Sequence, residues 1–409
     1  MEAHIATNIT DALVPGLVFR GGAPSAEYVK QARQVRWRAQ AGDRFSDASR
    51  TIRFNLADDC WLQSQTLRLQ FSITNKHATA ILTPTAHPMA MFENVRLYIG
   101  GQVAENIDNV TVLGNLLDFF KPVTRRVAES LENHPLPGNV DERLAIQAGQ
   151  TRKVIMEMPL GIFRQRIWCP LHLISNCVIE LTLGDKLNAF KAGESDNYDL
   201  SDVSLLGTCL HVDSAISAGY HQHLDAGMPL PIAYQTVVST KHIVTNGSFS
   251  LNLARAVSRL KSVYFTVVAA ATVNQGTDFV GRANGDFVDG RSDLMSFSLQ
   301  VGSQRFPDQP ATGVAEHYYR LMQALGKDMD HDSISLDPLR FLANKTVYAI
   351  NLERVGNEAA FTGISTMDGK TLTLTVNNAF EGNALHNVYV FQICDFLANI
   401  RKGAVDINE

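Results

Sequence analysis

From about residue 46 onward, apolar side chains recur at every second position in short runs. Ile52, Phe54 and Leu56 alternate with polar neighbours. So do Leu67, Leu69, Phe71 and Ile73, then Val95, Leu97 and Ile99, then Val154, Met156 and Met158, then Ile179, Leu181 and Leu183. Period two places one set of side chains on a single face, so each run predicts a strand with one buried face. Val203–Ile216 predicts a last strand for this half. The second half repeats the pattern at Phe249–Leu253, Phe265–Val267, Met295–Val301, Tyr348–Leu352, Leu372–Val376 and Val388–Ile393.

One stretch in each half breaks the period in the same way. After the strand ending at Ile99, Gly100-Gly101 predicts a turn, a polar connector follows, and Asp108 or Asn109 can cap a helix. Its apolar stripe is Leu113, Leu116, Leu117 and Phe120, and Lys121-Pro122 ends it. After Val301 the chain reads Gly302, a polar connector, then the stripe Tyr318, Leu321, Met322 and Leu325, ended by Gly326. The two stripes match at a constant offset of 205 and the preceding strands at 202. The other strand pairs match at 197 (Ile52 with Phe249), 196 (Leu69 with Phe265), 194 (Val154 with Tyr348) and 193 (Ile179 with Leu372). Offsets that change only at connections are what insertions and deletions in loops produce, so the pattern predicts a duplicated unit.

The resulting organisation is an N-terminal arm over 1–45, a first unit over 46–218, a linker over 219–234 and a second unit over 235–409. The arm contains a predicted short helix, Ala26–Gln40, bearing Lys30, Arg33, Arg36 and Arg38. Two readings stand for those cations: an arm that docks on a neighbour, a membrane face or an acidic surface, or a solvated helix packed on its own domain. Gly219, Gly227, Pro229 and Pro231 mark the linker. Ala128–Gln150, Ala189–Asp202 and Asn274–Asp293 read as long loops.

Seven or eight strands per unit, joined by long irregular connections, suit an antiparallel Greek-key sandwich, and eight strands in two sheets is a jelly roll. The fold class is therefore all-β: two tandem eight-stranded jelly rolls, each with an inserted short helix. The segment His87–Gly101 with the helix to Phe120, and Tyr318–Gly326 with Ile334–Phe341 and the strand Val347–Leu352, resemble the double jelly-roll major capsid proteins of the adenovirus–Polinton lineage, with Polinton-like viruses and virophages most similar. The resemblance covers nearly the whole chain from residue 46. It implies a homotrimer, a pseudo-hexagonal capsomer of an icosahedral DNA-virus shell, and residence in the virion. Neighbouring capsomers, penton and minor capsid proteins would be its partners, and the loops 189–202 and 274–293 candidates for the outer face or for clasps between subunits. It implies no catalytic residue, no cofactor, no metal and no sequence-specific nucleic acid.

Composition agrees with a large packed core: 45% of the 409 residues are apolar and 19% charged, with a formal net charge of −5. So small a charge gives no general affinity for nucleic acid. No apolar run reaches the ~20 residues that span a bilayer, and Met1–Thr10 lacks the pattern of a secretory signal. The five cysteines, Cys60, Cys169, Cys177, Cys209 and Cys394, form no close pair in sequence and predict buried free thiols. The Asn-x-Ser/Thr matches at Asn8, Asn109, Asn246 and Asn344 then read as chance. His221-Gln222-His223 offers two imidazoles and no third ligand, so it reads as solvated linker. Asp328-x-Asp330-x-Asp332 resembles the start of a calcium loop, but Ser333 stands where the turn needs Gly and Leu339 where it needs Glu. No phosphate loop or nucleophile elbow occurs. The alternative to a structural protein is a carbohydrate-active or carbohydrate-binding sandwich, with Glu157 and Glu180 as the carboxylate pair.

Overall fold

The computed structural model describes residues 29–40, 42–84, 87–136, 139–174, 176–191, 193–270, 294–327, 334–343, 345–354, 362–367, 370–401 and 404–408. The first 28 residues of the arm, the loop around 274–293 and the acidic run 328–332 lie outside them.

Among the described residues, sixteen main strands build two sandwiches of the same design, with the short strands Arg44–Phe45, Trp61–Leu62, Cys169–Pro170 and Ala404–Asn408 added to their sheets. In the first, β1 (Val29–Arg38), β2 (Thr51–Asn55), β3 (Arg68–Asn75), β4 (Phe92–Ile99), β5 (Gln102–Asp108), β6 (Thr151–Glu157), β7 (Val178–Leu183) and β8 (Tyr198–Val212) follow in chain order. In the second come β9 (Leu230–Val244), β10 (Phe249–Asn252), β11 (Leu260–Ala269), β12 (Ser296–Val301), β13 (Gln304–Thr312), β14 (Tyr348–Asn351), β15 (Leu372–Asn377) and β16 (His386–Arg401). The first sandwich has sheets β1-β8-β3-β6 and β2-β7-β4-β5; the second has β9-β16-β11-β14 and β10-β15-β12-β13. Every strand pairs with the counterpart neighbours, eight places later in order. Each sandwich is a jelly roll. The polar connector that follows each glycine turn is itself a strand, β5 or β13, so the repeated unit is a hairpin and then a helix: α1 (Val110–Phe119) and, later in the chain, α5 (Gly313–Ala324).

The cores follow from the alternation. Ile52, Phe54, Leu69, Phe71, Val95, Leu97, Ile179 and Leu181 are at most 0% exposed. Phe71 of one sheet meets Phe92 of the other edge to face with ring centroids 5.7 Å apart, and Phe265 meets Phe297 at 5.3 Å. Burying a Phe or Leu in this way contributes about 1.5–3 kcal/mol per side chain.

Pair registers test the repeat residue by residue. Ile52 faces Leu181 and Phe54 faces Ile179; Phe249 faces Val376 and Leu251 faces Leu374. With Ile52 matched to Phe249, Ile179 therefore corresponds to Leu374, not Leu372. The sequence offset of 193 was two residues short. A slip of two keeps every side chain on its face, so alternation cannot detect it.

Several sequence expectations are corrected. Residues 29–38 form a strand, not part of a helix over Ala26–Gln40; β1 pairs antiparallel with β8 along Gln31–Arg38. It is the first strand of the first jelly roll, so that domain begins inside the stretch read as arm. The linker 219–234 is mostly ordered structure: helix α4 (Ser214–Asp225), capped by Asp213 accepting from the Ala215 N–H, and then β9 from Leu230. The strand read over Val203–Ile216 starts at Tyr198 and stops at Val212. Ala189–Asp202 is only partly loop: Phe190 and Tyr198 are buried with their rings tilted against each other, centroids 4.8 Å apart, and β8 has begun by Tyr198. Within Ala128–Gln150 lie α3 (Ser130–Asn133), preceded by α2 (Val123–Ala128), and a short hairpin of 135–136 with 139–143. Cys60 and Cys209, 149 residues apart, are joined as a disulfide. The short strand Trp61–Leu62 pairs with β8 beside Cys209, a neighbourhood only the fold creates. Cys169, Cys177 and Cys394 are buried free thiols as expected; burial pushes Cys177 up to about 12.

Candidate assembly surfaces

Helix α1 packs its own jelly roll against the next. Leu113 and Leu116 are buried, while Leu117 and Phe120 reach the outer face of the sheet β9-β16-β11. Phe120 meets Tyr264 of β11. The Asn109 amide donates to Ser239 Oγ at 3.2 Å, and Ser239 Oγ donates to the Asp108 carbonyl at 2.5 Å. Ser335, just before α6 (Pro338–Ala343), donates its N–H to the Lys121 carbonyl at 2.8 Å. A cavity of about 370 Å3 remains in the seam, lined by Leu117, Phe120, Tyr264, Leu325, Phe391 and Ile393 among others. The Lys261–Glu353 ion pair (2.6 Å) forms part of its polar wall.

Beside it, β5 packs on β9. Tyr234 Oη donates to the Ala104 carbonyl at 3.0 Å. The Glu105 carboxylate accepts the N–H groups of Gly161 (3.0 Å) and Ile162 (3.1 Å), and Thr236 of β9 bonds it too. Burial pushes Glu105 up to about 7 against those bonds. A second buried polar cluster stands behind α1. Asp118 takes Arg126 at 2.9 Å and lies 3.6 Å from Arg143. Burial alone would raise Asp118, but His87, Arg126, Arg143 and Lys121 together hold it below its ordinary value. Arg126 also donates to Ser335 Oγ at 3.2 Å, which ties this cluster to the second jelly roll.

The four cations expected on the arm sit on β1. Lys30 pairs with Asp213 (2.8 Å), Arg33 with Asp58 (3.0 Å) and Arg36 with Asp202 (3.9 Å), all within the same jelly roll. Trp37 points into the core and Arg36 and Arg38 away from it. Such exposed pairs contribute under ~1 kcal/mol each, so the basic strand remains available to a partner. On α2 and α3, Val123, Val127 and Leu131 follow one another at spacing four, all exposed, Leu131 by 86%.

The carboxylate pair of the glycan alternative does not assemble. Glu157 lies on β6, where its side chain is held by Arg68, Arg125 and Arg164. Glu180 lies on β7 in the opposite sheet, held by Arg53 and Arg96. Their neighbours Met156, Ile179 and Leu181 fill the core, so the two carboxylates leave opposite outer faces of the sandwich and share no cleft. His221 and His223 lie on α4; the His221 ring sits 5.8 Å from the His172 ring, which packs on Trp61. Asp58, Cys60 and Cys209 are the one close group of three metal-ligand-type side chains among the described residues. The disulfide and the Arg33 ion pair use them.

No protein-family model and no curated protein matches the sequence. Solved structures do match. PBCV-1 VP54, fitted into a reconstruction of the virophage Sputnik, covers 96% of this chain and 100% of its own at 13% identity, with a TM-score of 0.64. The Faustovirus major capsid protein covers 96% and 94% at 8% identity, with a TM-score of 0.66. The mavirus major capsid protein covers 97% and 93% at 10% identity, with a TM-score of 0.52. Two jelly rolls in tandem, of matched strand order and joined through α1, give this chain the double jelly-roll fold of viral major capsid proteins.

Proposed function

We propose that this chain is a major capsid protein: a structural subunit, without a catalytic step, that forms pseudo-hexagonal homotrimeric capsomers of an icosahedral DNA-virus shell. The observation that carries the reading is the duplication of the jelly roll along nearly the whole chain. Two similar towers per chain make six per trimer, and a six-sided outline tiles a lattice. The exposed apolar line on α2–α3 supports a role in self-contact, because lone monomers seldom leave such a row in water. Neighbouring capsomers, and penton and minor capsid proteins, would be its partners in the virion. The cations Lys30, Arg33, Arg36 and Arg38 are contact candidates.

Light scattering of the purified protein tests the reading: a trimer has three times 45.0 kDa, about 135 kDa, and negative-stain micrographs should show pseudo-hexagonal particles. A protein that stays monomeric at high concentration overturns it.

A further inference from the structure

Three of the five cysteines surround the short strand Trp61–Leu62. Leu62 lies opposite Cys209 of β8 on one side and Cys169 on the other, and Cys60 immediately precedes the strand. Within this neighbourhood Asp58, Cys60 and Cys209 each bring one ligand atom within 4.8 Å of the other two. Both cysteines are buried, and Cys209 Sγ stands 3.9 Å from Asp58 Oδ2. Their Cα atoms are 5.6 Å apart. The Cys60 carbonyl accepts the Leu171 N–H at 3.1 Å and His172 Nδ1 at 3.3 Å, which fixes its backbone. Arg33 donates to both oxygens of Asp58 at 3.0 Å and lies directly opposite Cys209 in the β1–β8 pairing.

We propose that this is a zinc site gated by redox state: once the Cys60–Cys209 disulfide is reduced, the two thiolates and the Asp58 carboxylate bind Zn2+. The site goes beyond the capsomer reading and stands whether or not capsomers form. Two sulfurs and one carboxylate oxygen are a donor set that suits zinc. With Zn–S near ~2.3 Å and Zn–O near ~2.1 Å, tetrahedral bonding sets sulfur and oxygen roughly 3.6 Å apart and the two sulfurs roughly 3.8 Å apart. The 3.9 Å from Cys209 Sγ to Asp58 Oδ2 is close to the first distance. The second needs only rotation of the freed side chains. Charge closes as well. Two thiolates and a carboxylate are balanced by Zn2+ and the Arg33 guanidinium, so no uncompensated charge is buried. Arg33 then acts on Asp58 as outer partners act on metal-bound carboxylates, holding its oxygens in orientation. Asp58, the least buried of the three, leaves the fourth position to water. When a phosphine is the reductant, the S–S bond breaks and phosphorus takes the oxygen of a water to become a phosphine oxide. The two hydrogens of that water go to the sulfurs, and zinc then displaces both as protons.

The test uses the full chain, either oxidised or reduced with a phosphine, stripped of metal by a chelator and then dialysed against ZnCl2 or CoCl2. The reduced wild type should bind about one equivalent of zinc, and the oxidised wild type, identical in sequence, none. With cobalt, the reduced chain should show a thiolate-to-metal charge-transfer band and the visible bands of tetrahedral Co2+. Cys60→Ser should abolish that spectrum, Asp58→Asn should weaken binding by about tenfold or more, and Cys394→Ser should bind as the wild type does. The site is overturned if the reduced wild type takes up neither metal, if the oxidised chain takes up as much, or if uptake survives Cys60→Ser. Should Cys60→Ser fail to fold by circular dichroism, Asp58→Asn decides, because an affinity equal to wild type there removes the carboxylate from the site.

Discussion

Phe120 and Tyr264 set their rings 5.5 Å apart across the seam, one residue past the end of α1 and in the middle of β11. The pair sits at the edge of the interdomain cavity, and Tyr264 Oη donates onward to the Ala324 carbonyl at 2.8 Å. A single contact thus joins α1, the second sheet and the end of α5. Phe120→Ala should enlarge the cavity and cost about 2 kcal/mol, less than a fully buried Phe because Phe120 is half-exposed. Tyr264→Phe should cost about 1 kcal/mol for the lost hydrogen bond. Urea unfolding measures both, and a Phe120→Ala midpoint equal to wild type would deny the seam its role in stability.

Gly161 is required by close approach. A Cβ there would stand 1.6 Å from the Gln235 carbonyl oxygen of β9, a backbone atom that cannot swing aside. Gly161→Ala should therefore force the jelly rolls apart at this point, at a cost of at least ~3 kcal/mol. Gly219 in α4 meets nothing within 4 Å, so Gly219→Ala should be neutral or stabilise by about 0.5–1 kcal/mol. Thermal melts of the two variants, side by side, separate the effects of space and of backbone.

The Asp118 cluster buries two guanidinium groups around one carboxylate, with Arg126 and Arg143 each under a tenth exposed. Removing the acid leaves buried cations with less compensation, so Asp118→Ala should destabilise by about 3–5 kcal/mol. Because Arg126 also reaches Ser335, the loss should loosen the segment before α6, and hydrogen exchange at the Ser335 amide should rise in the variant.

Two buried groups tilt stability with pH in opposite directions. Burial holds His87 at about 4, below its ordinary 6.5. Between those values the unfolded chain takes up a proton that the native chain refuses. The stability His87 allows is therefore complete above pH 6.5 and is lost as pH falls toward 4. Glu105 is the reverse, held at about 7 against an ordinary 4.5. Here the native chain keeps a proton that the unfolded chain releases, so stability present below pH 4.5 is lost as pH rises to 7. Each full span is worth on the order of 3 kcal/mol. His87→Asn should flatten the rising limb and Glu105→Gln the falling one, read from urea midpoints across that range. Unchanged slopes in both variants would refute the assignment.

Much of the fold is legible in the sequence because its signals are local. Val95-x-Leu97-x-Ile99 and Phe297-x-Leu299-x-Val301 each declare a half-buried strand. The glycine turn and helical stripe after them recur too alike to be separate inventions. β1 is the instructive miss. Lys30, Arg33 and Arg36 fall at spacing three, which suggests a helical face, while its inward set is only Val35 and Trp37. Nothing within the segment reveals that β8 lies alongside to take its hydrogen bonds. The candidate contact surface was half legible for the same reason. The cations could be seen, but not that Arg36 and Arg38 line the outer side of a sheet whose counterpart is covered.

By itself the sequence determined the all-β class, the duplication and the position of the inserted helix, since hydrophobic period, glycine turns and caps act over a few residues. Only the tertiary structure decided which strands are neighbours, the equivalence of Ile179 with Leu374, the meeting of Cys60 with Cys209, and the separation of Glu157 from Glu180 onto opposite faces. The strand pairs and the disulfide behind them join residues roughly 120 to 150 apart in the chain. The alternation that forms a strand is the same whichever partner it finds, and it survives any slip of two.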